Sequence, residues 1–128
     1  MERNKEVAMK ERLYAIITDG EPSFVKFGIS KNPSKRLYAI RNGCPLDMRL
    51  LGSVLGSYPE EEKLHKALWE HHIRGEWFAC QGAAKEAAEF VGAGDLESLG
   101  ELITNGMRRR MRANIPFREK LGEILELE

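Results

Sequence analysis

Alternating apolar and polar positions mark the first two elements of the chain. In RLYAIIT (12–18), Leu13, Ala15 and Ile17 share one face of an expected strand, and Tyr14, Ile16 and Thr18 share the other. DGEPS (19–23) has turn chemistry. FVKFGIS (24–30) then alternates again, with Phe24, Lys26 and Gly28 opposite Val25, Phe27 and Ile29. Together the two runs predict an antiparallel hairpin. Asn32-Pro33 opens a helix, with Asn as cap and Pro at the first helical position, that runs to about Arg41 and stops at Asn42-Gly43.

PLDMRLLGSVLG (45–56) holds another strand, expected to be the third and last of the sheet. Tyr58-Pro59 opens a second helix, EEEKLHKALWEHHI, ending near Arg74-Gly75. GEWFAC (75–80) reads as a short extended piece and AAKEAAEFV (83–91) as a helix. DLESLGELI follows, capped by Asp95 and expected to break at Asn105-Gly106; the tail reads as two helical pieces separated near Pro116. The expected fold is α+β: a three-stranded antiparallel sheet flanked by helices, with a helical C-terminal extension. Residues 1–11 read as a polar tail or short helix, 12–80 as the core and 81–128 as the extension.

The 128 residues allow one domain with a real core. Lys+Arg and Asp+Glu balance at 20 each, so any surface for a polyanion must come from local clustering. Cys44 and Cys80 fit no disulfide framework or metal-ligand spacing, which points to a reducing compartment. No apolar run approaches a membrane span, and MERNKEVAMKER lacks an apolar signal core. The expected location is the cytoplasm, with no membrane partner.

Charge at the first helix is unusual. Lys31, Lys35 and Arg36 sit where the helix dipole is already positive, an arrangement that suits a bound anion such as phosphate. Taken alone, Lys31 and Lys35 read as solvated charges. Arg36 borders the apolar stripe of Leu37 and Ile40 and is a candidate phosphate ligand. In the second helix, the dipole accounts for Glu60 and Glu62. Glu61 stands at i, i+3 and i+7 with Leu64 and Leu68, so its carboxylate extends the buried stripe, with His65 on a neighbouring flank. A carboxylate aimed at a sheet bearing Tyr14 and Lys26 would neutralise cations there or hold a divalent ion. His71 and His72 suit a helix end, and Trp69, Trp77 and Phe78 read as core.

The ordered elements LYAI, KFGIS, KRL, EKLH and GEWF resemble the GIY-YIG nuclease superfamily, closest to its small phage and prokaryotic branch, over residues 12 to 80. The resemblance implies hydrolysis of DNA phosphodiesters with one divalent ion, Mg²⁺ or Mn²⁺. It places Tyr14 at the first tyrosine, Gly28 at the glycine of the second element, Arg36 at the catalytic arginine and Glu61 at the metal ligand. His65 and Glu76 match residues of this branch without a firm role, and Lys35 joins Arg36 among the substrate-binding candidates. Two positions depart from the pattern: Lys26 replaces the second tyrosine, and Ile40 replaces a histidine or tyrosine. In the implied mechanism Glu61 holds the metal, Arg36 neutralises phosphate charge, and Tyr14, helped by Lys26 or His65, deprotonates water; Tyr38 is a further substitute base.

Outside that core, MRRRMR puts Arg108, Arg109, Arg110 and Arg112 in the densest basic segment, a candidate DNA-backbone arm. Leu121, Ile124 and Leu125 suit packing on the core or a homodimer through the C-terminal helices. Two other readings compete with the nuclease. Lys26 and Ile40 favour a DNA-binding module without hydrolysis, and the C-terminal helices could instead mark a protein-interaction domain.

Overall fold

The structure is a computed structural model and describes residues 10–126, with the side chains of 116, 117 and 124–126 outside the description. The tail reading for residues 1–9 and the packing of Ile124 and Leu125 therefore lie outside the described residues. Strands β1 (Arg12–Thr18) and β2 (Phe24–Ser30) form the hairpin that the alternation predicts. Helix α1 (Pro33–Asn42) follows, with the Asn32 side chain accepting a hydrogen bond from the Lys35 amide at 3.1 Å. Next come β3 (Met48–Leu55), α2 (Tyr58–Ala67), a 3-10 turn (Trp69–His71), β4 (His72–Arg74) and β5 (Trp77–Ala79). Helices α3 (Gly82–Ala93), α4 (Leu96–Arg112) and α5 (Ile115–Glu126) complete the chain.

The α+β class holds, but the sheet has five strands, not three, in the order β3-β1-β2-β5-β4, all antiparallel. The second helix ends at Ala67, and His72–Arg74 is a strand where a helix end was expected. The physical reason is tertiary: β5 is held by pairing Phe24↔Ala79, Val25↔Phe78 and Lys26↔Trp77, and β4 pairs with β5 in turn. Phe78 locks this corner. It is fully buried, and the rings of Phe27, His65 and His72 meet it edge-on at 5.8, 5.1 and 5.3 Å.

Both faces of the sheet are covered. On one, Leu13, Ala15, Val25, Phe27 and Val54 pack against Leu64 and Leu68 of α2, the alanine stripe and Val91 of α3, and Leu99 and Leu102 of α4. On the other, Tyr14, Ile16 and Met48 lie under Leu37 and Ile40 of α1, with Trp77 alongside. Phe78 is core as expected, whereas Trp69 and Trp77 are only half-buried.

Helix α4 runs through Asn105-Gly106 without a break. The glycine serves contact here: a Cβ on Gly106 would fall 2.5 Å from the Ala67 carbonyl oxygen and 2.7 Å from the Ala67 Cβ, so the hydrogen lets α4 lie directly on α2. The boundary in the tail falls at Ala113-Asn114, where Asn114 takes the left-handed conformation (φ 56°), and not at Pro116. Leu121 of α5 is exposed. Among the described residues, no helix is long and apolar enough to cross a membrane.

Candidate functional site

Pairing between β2 and β5 stops at Lys26↔Trp77, so from Phe27 onward β2 pairs only with β1 and its other edge has no strand partner. Other groups meet it there. The Phe27 amide donates to the Glu76 carbonyl at 3.1 Å, and the Phe27 carbonyl bonds to His65 Nε2 at 3.0 Å. A turn residue and a helix are thereby brought to the same place.

On the α1 face, Tyr14 is paired directly with Gly28. A Cβ at Gly28 would sit 2.3 Å from the Tyr14 hydroxyl and 2.5 Å from Glu76 Oε2, so both oxygens occupy the space a side chain would take. Lys26 reaches in from the same face and donates to Glu76 Oε2 at 2.9 Å. Glu61, from the first turn of α2, lies beside His65 at the open edge of β2, its Oε1 3.8 Å from His65 Nε2, close enough for its charge to act on Tyr14 and for Glu76 and Lys26 to act on it. Its Oε2 is buried and, among the described residues, has no hydrogen-bond partner.

The protonation states follow from this crowding. Burial, then the charge of Glu76, push the Tyr14 hydroxyl well above the usual phenol range; Arg36 pulls it down, and Glu61 adds a smaller push. Burial, then Glu76, raises the Glu61 carboxyl, partly offset by Lys26. Burial lowers His65 despite its bond to the Phe27 carbonyl and the nearby Glu76 charge, so its ring is neutral at pH 7. With Nε2–H given to Phe27, His65 fixes α2 to β2 and so positions Glu61.

Arg36 stands exposed on α1, and with Ser30, Lys31, Asn32, Lys35 and Ala39 it lines an open cleft of about 350 Å³. The helix start offers little backbone for an anion. Pro33 has no N–H, the Lys35 N–H is taken by the Asn32 side chain, and the Arg36 N–H by the Asn32 carbonyl. Any anion there is held by the side-chain charges. Tyr38 is exposed, and Ile40 packs under α1 against the Tyr14 cluster.

The structure thus gathers Tyr14, Lys26, Gly28, Glu61 and His65, with Arg36 close enough to act on Tyr14. The arginine run is divided. Arg110 is buried and paired with Glu119, and Arg109 donates to Glu70 at 2.9 Å. Arg108 and Arg112 are exposed and, with Lys63 of α2, Met107 and Met111, border a groove of about 850 Å³. Sequence reasoning matched Glu76, through the GEWF element, to a residue of the resembled branch but left its role open; the structure brings it against Lys26, Tyr14 and Gly28. That reasoning missed Tyr58, whose position at the start of α2 places it near enough to influence Tyr14.

Among the described residues no cluster of three or more His, Cys, Asp or Glu side chains has metal-holding geometry. A half-buried carboxylate with a buried, unpartnered oxygen, close enough to feel the charge of a second carboxylate, nevertheless fits a hard divalent ion that keeps most of its waters. Comparison of this chain with protein-family models, with curated proteins and with solved structures gave no match.

Proposed function

We propose that this chain is a metal-dependent DNA endonuclease acting by a GIY-YIG-type mechanism. The observation that carries the reading is the convergence over Gly28: the Tyr14 hydroxyl and the Lys26-bonded carboxylate of Glu76 share one small space, beside the unpartnered oxygen of Glu61. The residues come from four separate parts of the chain, and no packing requirement explains bringing two carboxylates, a lysine and a buried phenol together.

Glu61 would hold Mg²⁺ or Mn²⁺, which when bound supplies positive charge to the scissile phosphate. Arg36, at the cleft mouth, neutralises charge that grows on the phosphate oxygens in the transition state. Water attacks phosphorus and the bond to the 3′ oxygen breaks, that oxygen leaving with a proton taken from solvent. Tyr14 is protonated at neutral pH, so it does not begin as the base expected from the resemblance. It would take the water's proton while giving up its own toward Glu76, whose charge acts on it and whose oxygen approaches the same hydrogen of Gly28. Lys26 holds that carboxylate in position, and His65 holds Glu61 through α2. Lys63, Arg108 and Arg112, which line one groove, would follow the flanking DNA backbone.

Incubation of supercoiled plasmid with Mg²⁺ or Mn²⁺, against EDTA and Glu61→Ala, tests the proposal. Metal-dependent nicking that the substitution abolishes is the expected result. Intact plasmid with a salt-dependent gel shift would instead favour a binding module of the same fold, a reading supported by Ile40, which puts an apolar side chain where the resembled family has a histidine or tyrosine.

A further inference from the structure

The face that carries Tyr14 and Lys26 continues past the catalytic cluster into a second, apolar cavity of about 290 Å³. Phe24, two residues before Lys26 and on the same strand face, and Trp77, the partner of Lys26 across the sheet, line it. Cys44 and Leu46 from the α1–β3 loop and Ile73 and Arg74 from β4 complete the walls. Trp77 directly follows Glu76, so the cavity and the proposed proton acceptor are neighbours on one short segment.

Its chemistry is specific in kind. Thr18 also lines the cavity, but its hydroxyl already accepts from the Phe24 amide at 2.9 Å. The walls therefore offer two aromatic rings and aliphatic surface, with few groups able to read hydrogen-bond patterns. Leu46 and Ile73 are each 49 % exposed, apolar side chains left in water beside the cavity. Arg74 is exposed and, among the described residues, in no ion pair, which gives the opening a positive charge suited to a phosphate backbone.

We propose that this cavity takes one unstacked nucleobase of the substrate strand, adjacent to the phosphate that Arg36 faces beside Tyr14. The assignment rests on the nuclease reading and narrows its substrate class. Aromatic stacking is tolerant of base identity, so the site selects an unpaired base and not a sequence. Extracting a base from a duplex is costly, and least so where it is mismatched or already single-stranded. Substrates with an unpaired nucleotide beside the cut, such as flaps, loops and mismatches, are therefore preferred over regular duplex.

The two cysteines provide the test. Cys44 lines the cavity, whereas Cys80 packs against the opposite sheet face and serves as reference. The native chain in EDTA is saturated with a short oligothymidylate or with an abasic oligomer of the same length, binding being established first by gel shift. Alkylation of each cysteine by iodoacetamide is then followed by mass spectrometry. Oligothymidylate should slow Cys44 about tenfold relative to Cys80, the scale of one stacked base, while the abasic oligomer should not. Ile73→Ala, at an exposed wall position, should weaken binding of the first oligomer and leave the second unchanged. Equal protection by both oligomers, or by neither although both bind, overturns the base pocket and leaves the nuclease standing. If neither oligomer binds and plasmid stays intact, the nuclease reading falls and takes the pocket with it.

Discussion

Lys26 Nζ donates to Glu76 Oε2 at 2.9 Å, although 50 residues separate the two in sequence. The pair closes over Gly28, where an added Cβ would meet Glu76 Oε2 at 2.5 Å and the Tyr14 hydroxyl at 2.3 Å. One hydrogen atom therefore separates an assembled cluster from a dispersed one.

Gly28→Ala is the sharpest test of that relationship. The strand backbone accepts alanine, but the methyl group must displace Tyr14, which is fully buried, or Glu76. Overpacking of this kind costs about 1–3 kcal/mol. Plasmid cleavage should fall by about 100-fold or more, the scale of losing a positioned proton-transfer group, while circular dichroism keeps the native spectrum with a lower melting midpoint. Retained activity would mean that Tyr14 and Glu76 do not act together.

Glu61 should trade stability for function. Its carboxyl is raised above 4.5, so the native state binds that proton more tightly than the unfolded chain does. The resulting stability is present below 4.5 and lost as pH rises through the raised value. At pH 7 the buried charge and its unpartnered oxygen are a burden. Glu61→Ala in metal-free buffer should then unfold at equal or higher urea than the native chain at pH 7, and lose that advantage near pH 4. Mn²⁺ should reverse the order, because a ligand at 100 times its Kd stabilises by about 2.7 kcal/mol. A native chain indifferent to Mn²⁺ in thermal melts would remove Glu61 as the metal ligand.

His65 carries the opposite sign. Burial depresses it below 6.5, so its contribution is present above 6.5 and is lost as pH falls through the lowered value. Protonation there must be accommodated against the buried ring of Phe78. His65→Gln should flatten the fall in urea midpoint between pH 7.5 and 5. An unchanged acid slope would show that another group controls it.

The hairpin was legible because its signal is local: two alternating runs flank a Gly-Pro turn, and the strands Arg12–Thr18 and Phe24–Ser30 follow them residue for residue. Glu61 was legible for a related reason, since its spacing from Leu64 and Leu68 fixes its side of the helix. Strand β4 was not, and β5 was legible only as the short extended piece 75–80, without its pairing. Each is three residues long, too short for a periodic pattern, and β5 exists because β2 offers it an edge while Phe78 fills the core. The role of Glu76 depends on that pairing and was hidden with it. Likewise Asn105-Gly106 looks like a helix stop in isolation, and only the contact with Ala67 shows why a glycine sits inside α4.

That contact is testable alone. Gly106→Ala improves intrinsic helix propensity by about 1 kcal/mol, but its methyl group would lie 2.5 Å from a backbone oxygen, which cannot swing aside as a side chain would. The clash should win, with a net loss of about 1–3 kcal/mol in urea unfolding. A stabilised variant would show that α4 lifts from α2 at little cost.

The divided arginine run makes the last prediction. Each phosphate contact removed lowers the salt slope of DNA binding by about one. Arg108→Ala and Arg112→Ala should each do so with folding unaffected, because both side chains are exposed beside the Lys63 groove. Arg110 behaves differently. It is 7 % exposed and its charge is met by Glu119 from α5. Removing that partner with Glu119→Ala leaves a buried guanidinium without its counter-charge; since Glu119 is itself half exposed, the cost is about 1–2 kcal/mol, below that of a fully buried pair. Glu119→Ala should thus loosen α5, seen as faster hydrogen exchange in residues 115–123, and leave the salt slope alone. If instead Glu119→Ala strengthens DNA binding and steepens its salt dependence, Arg110 is a phosphate ligand held in reserve by α5, and the run acts as one basic arm after all.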